Sequence, residues 1–401
     1  MKRKKLALLL SAAMVLSLAL TGCGGDGGSG GSEDSDVVKI GWIGPLTGDS
    51  ALWGTCESQA LQMYVDEQNE AGGVLGGKKL ELVTYDIKSD TNEAVNAVKR
   101  LISNDKVSAI LGPNSSAPAI AIKGALDQGK VPDIATVATN VAITVGEDGS
   151  VNPYNFRICF TDPYQGAVTG GFAADELGAT RAAILYDISS DYSQGFAQYF
   201  RETFEEKGGK IVAEEAGKTG DTDFRAQLTK IKEADPEVIL LPLANYKDIA
   251  LAANQAREMG IDATFFGGDT LPSDNIFEMA GPALEGTYVV NHFDYNDPAA
   301  EDITERYVEK YGKQPEINAY MVHDAFQLLI AAIEEAGSAD PQAITDALTK
   351  VEIDGVTGHI KLGEDNHDPI GKEAAMQQIV KDENAEQGYS YKFIMKYSPE
   401  A

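Results

Sequence analysis

The chain has 401 residues, with 62 acidic side chains against 33 basic ones and a formal net charge of −29. That balance excludes nucleic acid and an anionic membrane surface as partners of the folded body, but not a small anionic ligand, for which local donors outrank net charge at close range. The length is large for a single hydrophobic core, so two lobes are expected.

The chain opens with Lys2, Arg3, Lys4 and Lys5, followed by an apolar run over 6–20. That run is short for a membrane span and suits an export signal. It closes on Leu20-Thr21-Gly22-Cys23, which resembles the bacterial lipobox, so residues 1–22 are expected to be removed and Cys23 to carry lipid that anchors the chain at the membrane. Removing four basic residues takes the charge from −29 to −33 (−29 − 4). Residues 23–36, rich in glycine and serine, offer nothing to bury and read as a flexible tether. Cys56 and Cys159 are the other two cysteines. Export would permit pairing, but one falls in a predicted helix and the other in a distant strand, which favours two unpaired buried thiols.

From residue 37 the pattern is apolar strand, loop, amphipathic helix, repeated. Strands are predicted over 38–43, 79–86, 107–111 and 131–137, with helices over 50–71, 92–104 and 119–126. A second series begins after Pro153, with strands over 155–160, 182–186, 210–215, 238–243 and 264–267 and helices over 164–177, 193–207, 224–234 and 248–259. Residues 297–350 read as mostly helical, and short strands over 358–362, 376–381 and 391–395 close the chain. Such alternation argues an α/β fold of two doubly wound parallel-sheet lobes.

Open parallel sheets bind ligands beyond the carboxyl ends of their strands. The residues found there are Trp53 after Gly44-Pro45, then Ser115-Ser116, then Ala138-Thr139, and in the second series Asp187, Tyr192, Asn245-Tyr246 and Asp269. Ser115-Ser116 followed by Pro118 is a helix N-terminus signature, where free N–H groups and the positive end of the dipole can seat a carboxylate; ordinary capping would leave the same trace. Hydroxyls for a carboxylate, an acid for an ammonium and aromatic walls together fit a free α-amino acid.

These residues resemble the branched-chain amino-acid-binding proteins, the solute-binding components of bacterial ABC importers, with the type I periplasmic-binding-protein fold. The similarity is carried by Ile43-Gly44-Pro45-Leu46-Thr47-Gly48 with Trp53-Gly54, by Ala71-Gly72-Gly73-Val74-Leu75-Gly76-Gly77-Lys78, and by Gly112-Pro113 with Ser115-Ser116. Val131-Pro132 leading to Ala138-Thr139-Asn140, Phe156-Arg157 with Asp162, Tyr186-Asp187 with Asp191-Tyr192-Ser193-Gln194-Gly195, and Gln255-Ala256-Arg257-Glu258-Met259-Gly260 extend it.

The resemblance implies that Ser115 and its backbone N–H take the ligand carboxylate, helped by Thr139; Ser116 adds a second hydroxyl at the same spot. It further implies that the carbonyl of Val137, next to Ala138, accepts from the ammonium, that Asp269 pairs with it, and that Trp53 walls the side-chain pocket. Tyr192 and either Asn245 or Tyr246 would come from the second lobe. Ala135-Thr136-Val137 stands where relatives usually carry Ser-Pro-Ser, and aspartate stands at 269 where several have glutamate. Other members of the superfamily bind amides, urea or aromatic acids, so branched-chain specificity does not follow.

The same resemblance implies three chain crossings, near Phe160, Asn291-His292 and Gln377-Gln378. Lobe one would hold 37–159 with 292–377, and lobe two 160–291 with 378–401. It also implies a monomer without cofactor or metal, whose closed form is read by membrane permease subunits. Two rivals are weighed against this. A sensor without transport would use the same fold. An exported enzyme finds little support: His292, His323, His359 and His367 lack metal spacing, and no Gly-x-Ser-x-Gly elbow occurs. Gly72, Gly77 and Lys78 imitate a phosphate loop, but Lys79 occupies the serine or threonine position and a strand follows.

Overall fold

The computed structural model describes residues 36–48, 50–273 and 275–397; the leader, Cys23 and most of the tether lie outside them. The first apolar series forms a five-stranded, wholly parallel sheet. Its strands are β1 (Val37–Gly44), β2 (Lys79–Asp86), β3 (Ala109–Leu111), β4 (Asp133–Ala135) and β5 (Asn155–Arg157), in the order β2-β1-β3-β4-β5. The crossovers carry α1 (Ala51–Glu70), α2 (Thr91–Arg100) and α3 (Ser116–Gly129). α4 (Asp162–Asp175) leads into the second series. There β6 (Arg181–Asp187), α5 (Asp191–Glu206), β7 (Lys210–Gly217), α6 (Arg225–Ala234), β8 (Val238–Leu240), α7 (Tyr246–Glu258), β9 (Thr264–Gly267), α8 (Asn275–Leu284) and β10 (Tyr288–Asn291) follow in turn.

The chain then forms α9 (Pro298–Tyr311), α10 (Ile317–Ala336), α11 (Pro341–Leu348) and the hairpin β11 (Glu352–Gly355) with β12 (Gly358–Lys361). β13 (Ala374–Lys381) and β14 (Tyr389–Tyr397) join the second sheet, which runs β14-β13-β10-β9-β8-β6-β7. These last two strands are antiparallel, so the second sheet is mixed rather than purely parallel. α10 belongs to the first sheet's core. Its buried face, from Ile317 to Ile333, packs with α1 and the strands in one hydrophobic cluster, and Tyr64 on α1 donates its hydroxyl to the Ala319 carbonyl at 2.9 Å.

Several elements differ from the sequence expectation for local reasons. The helix expected over 92–104 ends at Arg100 and continues as a π-turn, Leu101–Asp105, that closes on a left-handed Lys106. The wider turn leaves Leu101 fully buried against Gly41. α8 and β10 were not anticipated. α8 is kinked at Ala280, with Pro282 inside it, and β10 has four residues, so neither shows a readable period. The glycine-rich stretch ahead of Lys79 is a tight turn bridged from Val74 to Lys78 that runs into β2, not a phosphate loop before a helix. Cys56 and Cys159 are both free and buried, and burial pushes each thiol up to about 12.

Two glycines fix the loops that matter most. A Cβ on Gly54 would lie 2.0 Å from the Pro45 carbonyl oxygen, so only glycine lets the start of α1 press against the end of β1 beside Trp53. Gly112 has φ +88°, and a Cβ there would lie 2.4 Å from the Ile43 carbonyl oxygen. Because backbone atoms cannot step aside as a side-chain tip can, Gly54→Ala should cost about 1–3 kcal/mol in urea unfolding. A loss inside experimental error would show that the loop yields freely.

Candidate functional site

Each sheet has one place where consecutive crossovers depart in opposite directions: between β1 and β3 in the first, and between β6 and β8 in the second. Loops diverge there and leave a crevice at the carboxyl ends of the strands. A cavity of ≈250 Å3 is lined from both. Trp53, Asn114, Ser115 and Ser116 come from the loops and helix starts that follow the first sheet's strands, and Ser189, Tyr192, Asn245 and Asp269 from those of the second. The volume lies just below the roughly 300–1,000 Å3 of drug-sized sites, as suits a smaller solute. Contacts also bridge the two sides: Trp53 meets Tyr246 edge-on at 5.8 Å, and Asn140 Nδ2 donates to the Asp191 carbonyl at 3.0 Å.

Helix starts facing the cavity use their polar residues differently. Ser190 caps α5 by accepting from the Ser193 N–H, and Asn245 caps α7 by accepting from the Asp248 N–H at 2.9 Å. Ser115 occupies the N-cap position of α3, with extended backbone (φ −145°, ψ 148°), yet its hydroxyl makes no cap bond. Ser116 and Ala117 open the helix and have no carbonyl four residues back to bond, and Pro118 has no N–H. Capping therefore does not consume the Ser115 hydroxyl, and an anion at this end would meet it together with free N–H groups and the helix dipole. Ser116 Oγ accepts from the Asn140 N–H at 3.3 Å, tying the loop after β4 to the same corner.

The opposite wall carries Asp269, the one charged side chain among the described lining residues. It is 3% exposed. Its Oδ2 lies 3.2 Å from His292 Nε2, and its Oδ1 is buried without a hydrogen-bond partner. Burial holds the His292 imidazole below its usual pKa, so the neutral ring donates from Nε2 and leaves the carboxylate uncompensated. The ring stacks on Phe160 at 3.7 Å. Burial, and then the adjacent Asp269 carboxylate, push the Tyr192 phenol well above its usual range; its hydroxyl lies 3.4 Å from Thr270 Oγ1. A buried carboxylate with one oxygen unpartnered on one side and an unspent helix N-terminus on the other leave places for one positive and one negative charge.

Beneath the first sheet's side lies Glu57, fully buried on α1. Its Oε1 accepts from Thr136 Oγ1 at 2.8 Å and Trp42 Nε1 at 3.4 Å, and its Oε2 from Asn114 Nδ2 at 2.9 Å and Asn318 Nδ2 at 3.2 Å. Burial pushes its carboxyl up to about 7 despite these four bonds. Arg157 organises the loop after β4. It pairs with Asp368 at 2.5 Å and donates to the carbonyls of Ala138 and Asn140 at 3.2 and 2.9 Å.

Of the residues expected from the sequence, Trp53, Ser115, Ser116, Val137, Tyr192, Asn245 and Asp269 line the cavity. Ala138, Thr139 and Tyr246 do not. Thr139 is fully buried and donates its hydroxyl to Asp162 Oδ1 at 2.6 Å, which removes that hydroxyl from a ligand carboxylate. Asp162 gains enough from burial to move up to about 7. Tyr246 packs on Trp53 from behind, and both Asn245 side-chain groups are engaged with Asp248. Asp187, also at a strand end, is engaged by Ser189 in its own loop and by Thr219 in the loop after β7. Asn114, Thr219, Thr270, Ile317 and Asn318 line the cavity without having been anticipated. Asn114 and Thr270 directly adjoin expected residues, a signal that proximity alone supplied, whereas Ile317 and Asn318 begin α10, which follows no strand.

Two doubly wound sheets that jointly wall one small cavity define a two-lobed solute-binding protein. The chain belongs to the periplasmic binding protein family, whose profile matches residues 37–384. This is a family of substrate-binding proteins, not of enzymes. The chain is 30% identical over 334 residues to the leucine-, isoleucine-, valine-, threonine- and alanine-binding protein of Pseudomonas aeruginosa, covering 82% of this chain and 87% of that one. Among solved structures it resembles the leucine-binding protein LivK of Thermotoga maritima (33% identity, TM-score 0.80, 90% of this chain and 99% of that one). It is similarly close to the branched-chain amino acid transporter substrate-binding protein LivJ of Streptococcus pneumoniae, crystallised with isoleucine (32% identity, TM-score 0.80, 90% and 100%).

Proposed function

We propose that this chain is the extracytoplasmic receptor of an ABC importer, holding one free α-amino acid between its sheets and handing it to membrane permease subunits. The observation that carries the reading is Asp269, whose Oδ1 is buried beside the cavity with no partner while no cation lines it among the described residues. An ammonium group completes that carboxylate, and the ligand carboxylate then seats at Ser115, Ser116 and the α3 N-terminus. The ligands for which the relatives are named, leucine, isoleucine, valine, threonine and alanine, share this zwitterionic head.

The reading includes export, with Cys23 as the lipidated anchor and a monomeric body. It includes lobes over 37–159 with 292–377 and over 160–291 with 378–401. The bond from Asn291 Nδ2 to Gln377 Oε1 at 3.0 Å and the Phe160–His292 stack support placing crossings side by side there. A ligand gripped from both sides favours the closed arrangement, because only then are all its partners present. No helix among the described residues is long and apolar enough to cross a membrane.

Calorimetry with an α-amino acid, the same molecule lacking its amine and the same molecule lacking its carboxylate tests the reading. The intact zwitterion is expected to bind and both truncated forms to fail; binding of the des-amino form at full strength would reject it. Ser115→Ala removes one hydrogen bond to a charged group, worth about 1.5–3 kcal/mol, so affinity is expected to fall at least tenfold. Unchanged affinity would move the carboxylate elsewhere.

A further inference from the structure

Once a zwitterion's two charges are placed, two buried polar atoms of the lining residues still lack partners: Asn318 Oδ1 and Trp53 Nε1. The orientation of the Asn318 amide is fixed by what it touches. Glu57 accepts two hydrogen bonds on each carboxylate oxygen, the full complement of an ionised carboxylate. With Glu57 ionised, both amides at Oε2, from Asn114 and Asn318, present nitrogen to it, which turns their carbonyl oxygens away. Asn318 is 3% exposed, so its unpaired oxygen has little access to solvent water.

We infer that the amino acid bound here carries a neutral side chain with a hydrogen-bond donor, a hydroxyl or a carboxamide, that pairs with Asn318 Oδ1 beside Trp53. The inference rests on the amino-acid reading above and narrows it. An aliphatic side chain would leave the buried Asn318 carbonyl unpaired in the complex, forgoing the hydrogen bond that a donor-bearing side chain gains there. A carboxamide or hydroxyl offers a neutral donor for the Asn318 oxygen, and its own oxygen is an acceptor of the kind the unpaired Trp53 N–H lacks. An acidic side chain brings a third carboxylate near Glu57 and Asp269. A basic one meets no free carboxylate oxygen at this corner, since those of Glu57 are all taken. Glu57 acts as a positioning residue: it touches no ligand and sets which face its two asparagines show.

The test is calorimetry at pH 8, where the Glu57 carboxyl is ionised, with serine, threonine, asparagine, glutamine, leucine, isoleucine, valine, glutamate and lysine. The tightest hydroxyl or carboxamide ligand is expected to bind at least tenfold tighter than the tightest aliphatic one. Asn318→Leu should narrow or reverse that ratio by at least tenfold while leaving the aliphatic affinities level or improved, with Asn318→Ala as the alternative should the leucine disturb folding. Aliphatic ligands binding as tightly as the polar ones, a charged side chain binding tightest, or variants that weaken every ligand in proportion would overturn the inference while leaving the amino-acid reading standing. Silence across the whole panel would reject that reading and the inference with it.

Discussion

Asp269→Asn is expected to weaken binding of an α-amino acid by about a hundredfold while moving the affinity for its des-amino analogue by no more than about threefold. The reason lies in what the substitution keeps. An asparagine can turn its oxygen to His292 Nε2 and preserve the buried contact of 3.2 Å, so the local packing survives. What it loses is the charge, and the group replacing Oδ1 is an N–H donor aimed where the ammonium would sit. Removing one partner of a buried, hydrogen-bonded charge pair costs on the order of 2–5 kcal/mol, which brackets a hundredfold. A ligand without an amine never engages that oxygen and should hardly notice. Equal losses for both ligands would show that Asp269 shapes the wall instead of pairing with the amine.

The second large effect is on stability against pH. Burial raises the carboxyls of Glu57 and Asp162 to about 7 in the folded protein, above their ordinary values of 4.5 and 3.8. A group raised on folding contributes stability that is complete below its unfolded pKa and lost as pH rises through its folded one. Both therefore favour the folded state progressively as pH falls from about 8 toward 5. His292 and His367, held low by burial, work in the opposite direction below their usual 6.5. Comparison of the wild type with Glu57→Gln cancels the histidines and isolates the carboxyl. At 1.36 kcal/mol per unit, its share is on the order of 3 kcal/mol. The melting temperature of the wild type is expected to rise by several degrees more than that of the variant between pH 8 and pH 5. Parallel curves would mean that Glu57 is ionised throughout and that its four donors outweigh its burial.

The residues legible in the sequence are those that follow an apolar strand directly. Ser115, Tyr192 and Asp269 sit within a few positions of a run whose period announces a strand end, Trp53 lies in the first turn of the helix that follows β1, and strand ends are where such sheets bind. Thr139 shows the limit of that rule. It too follows a strand, but the sequence does not show that α4 begins with an aspartate close enough to take its hydroxyl. Glu57 was hidden because an acid within an amphipathic helix normally belongs to the solvated face; only the donors that converge on it, three of them from distant segments, explain its burial. Asn318 was hidden by distance. It enters the cavity from α10, more than 200 positions after Trp53, through packing of that helix on α1. The second sheet's antiparallel edge escaped for a similar reason, since β13 returns to β10 only after three helices and a hairpin.

The most direct test is a crystal structure of the protein with its tightest-binding amino acid. The ligand carboxylate is expected at the Ser115 hydroxyl and the first N–H groups of α3, and the ammonium within hydrogen-bonding distance of Asp269 Oδ1. A ligand found outside the cavity, or lying in it with its amine toward α3 and its carboxylate toward Asp269, would contradict this placement.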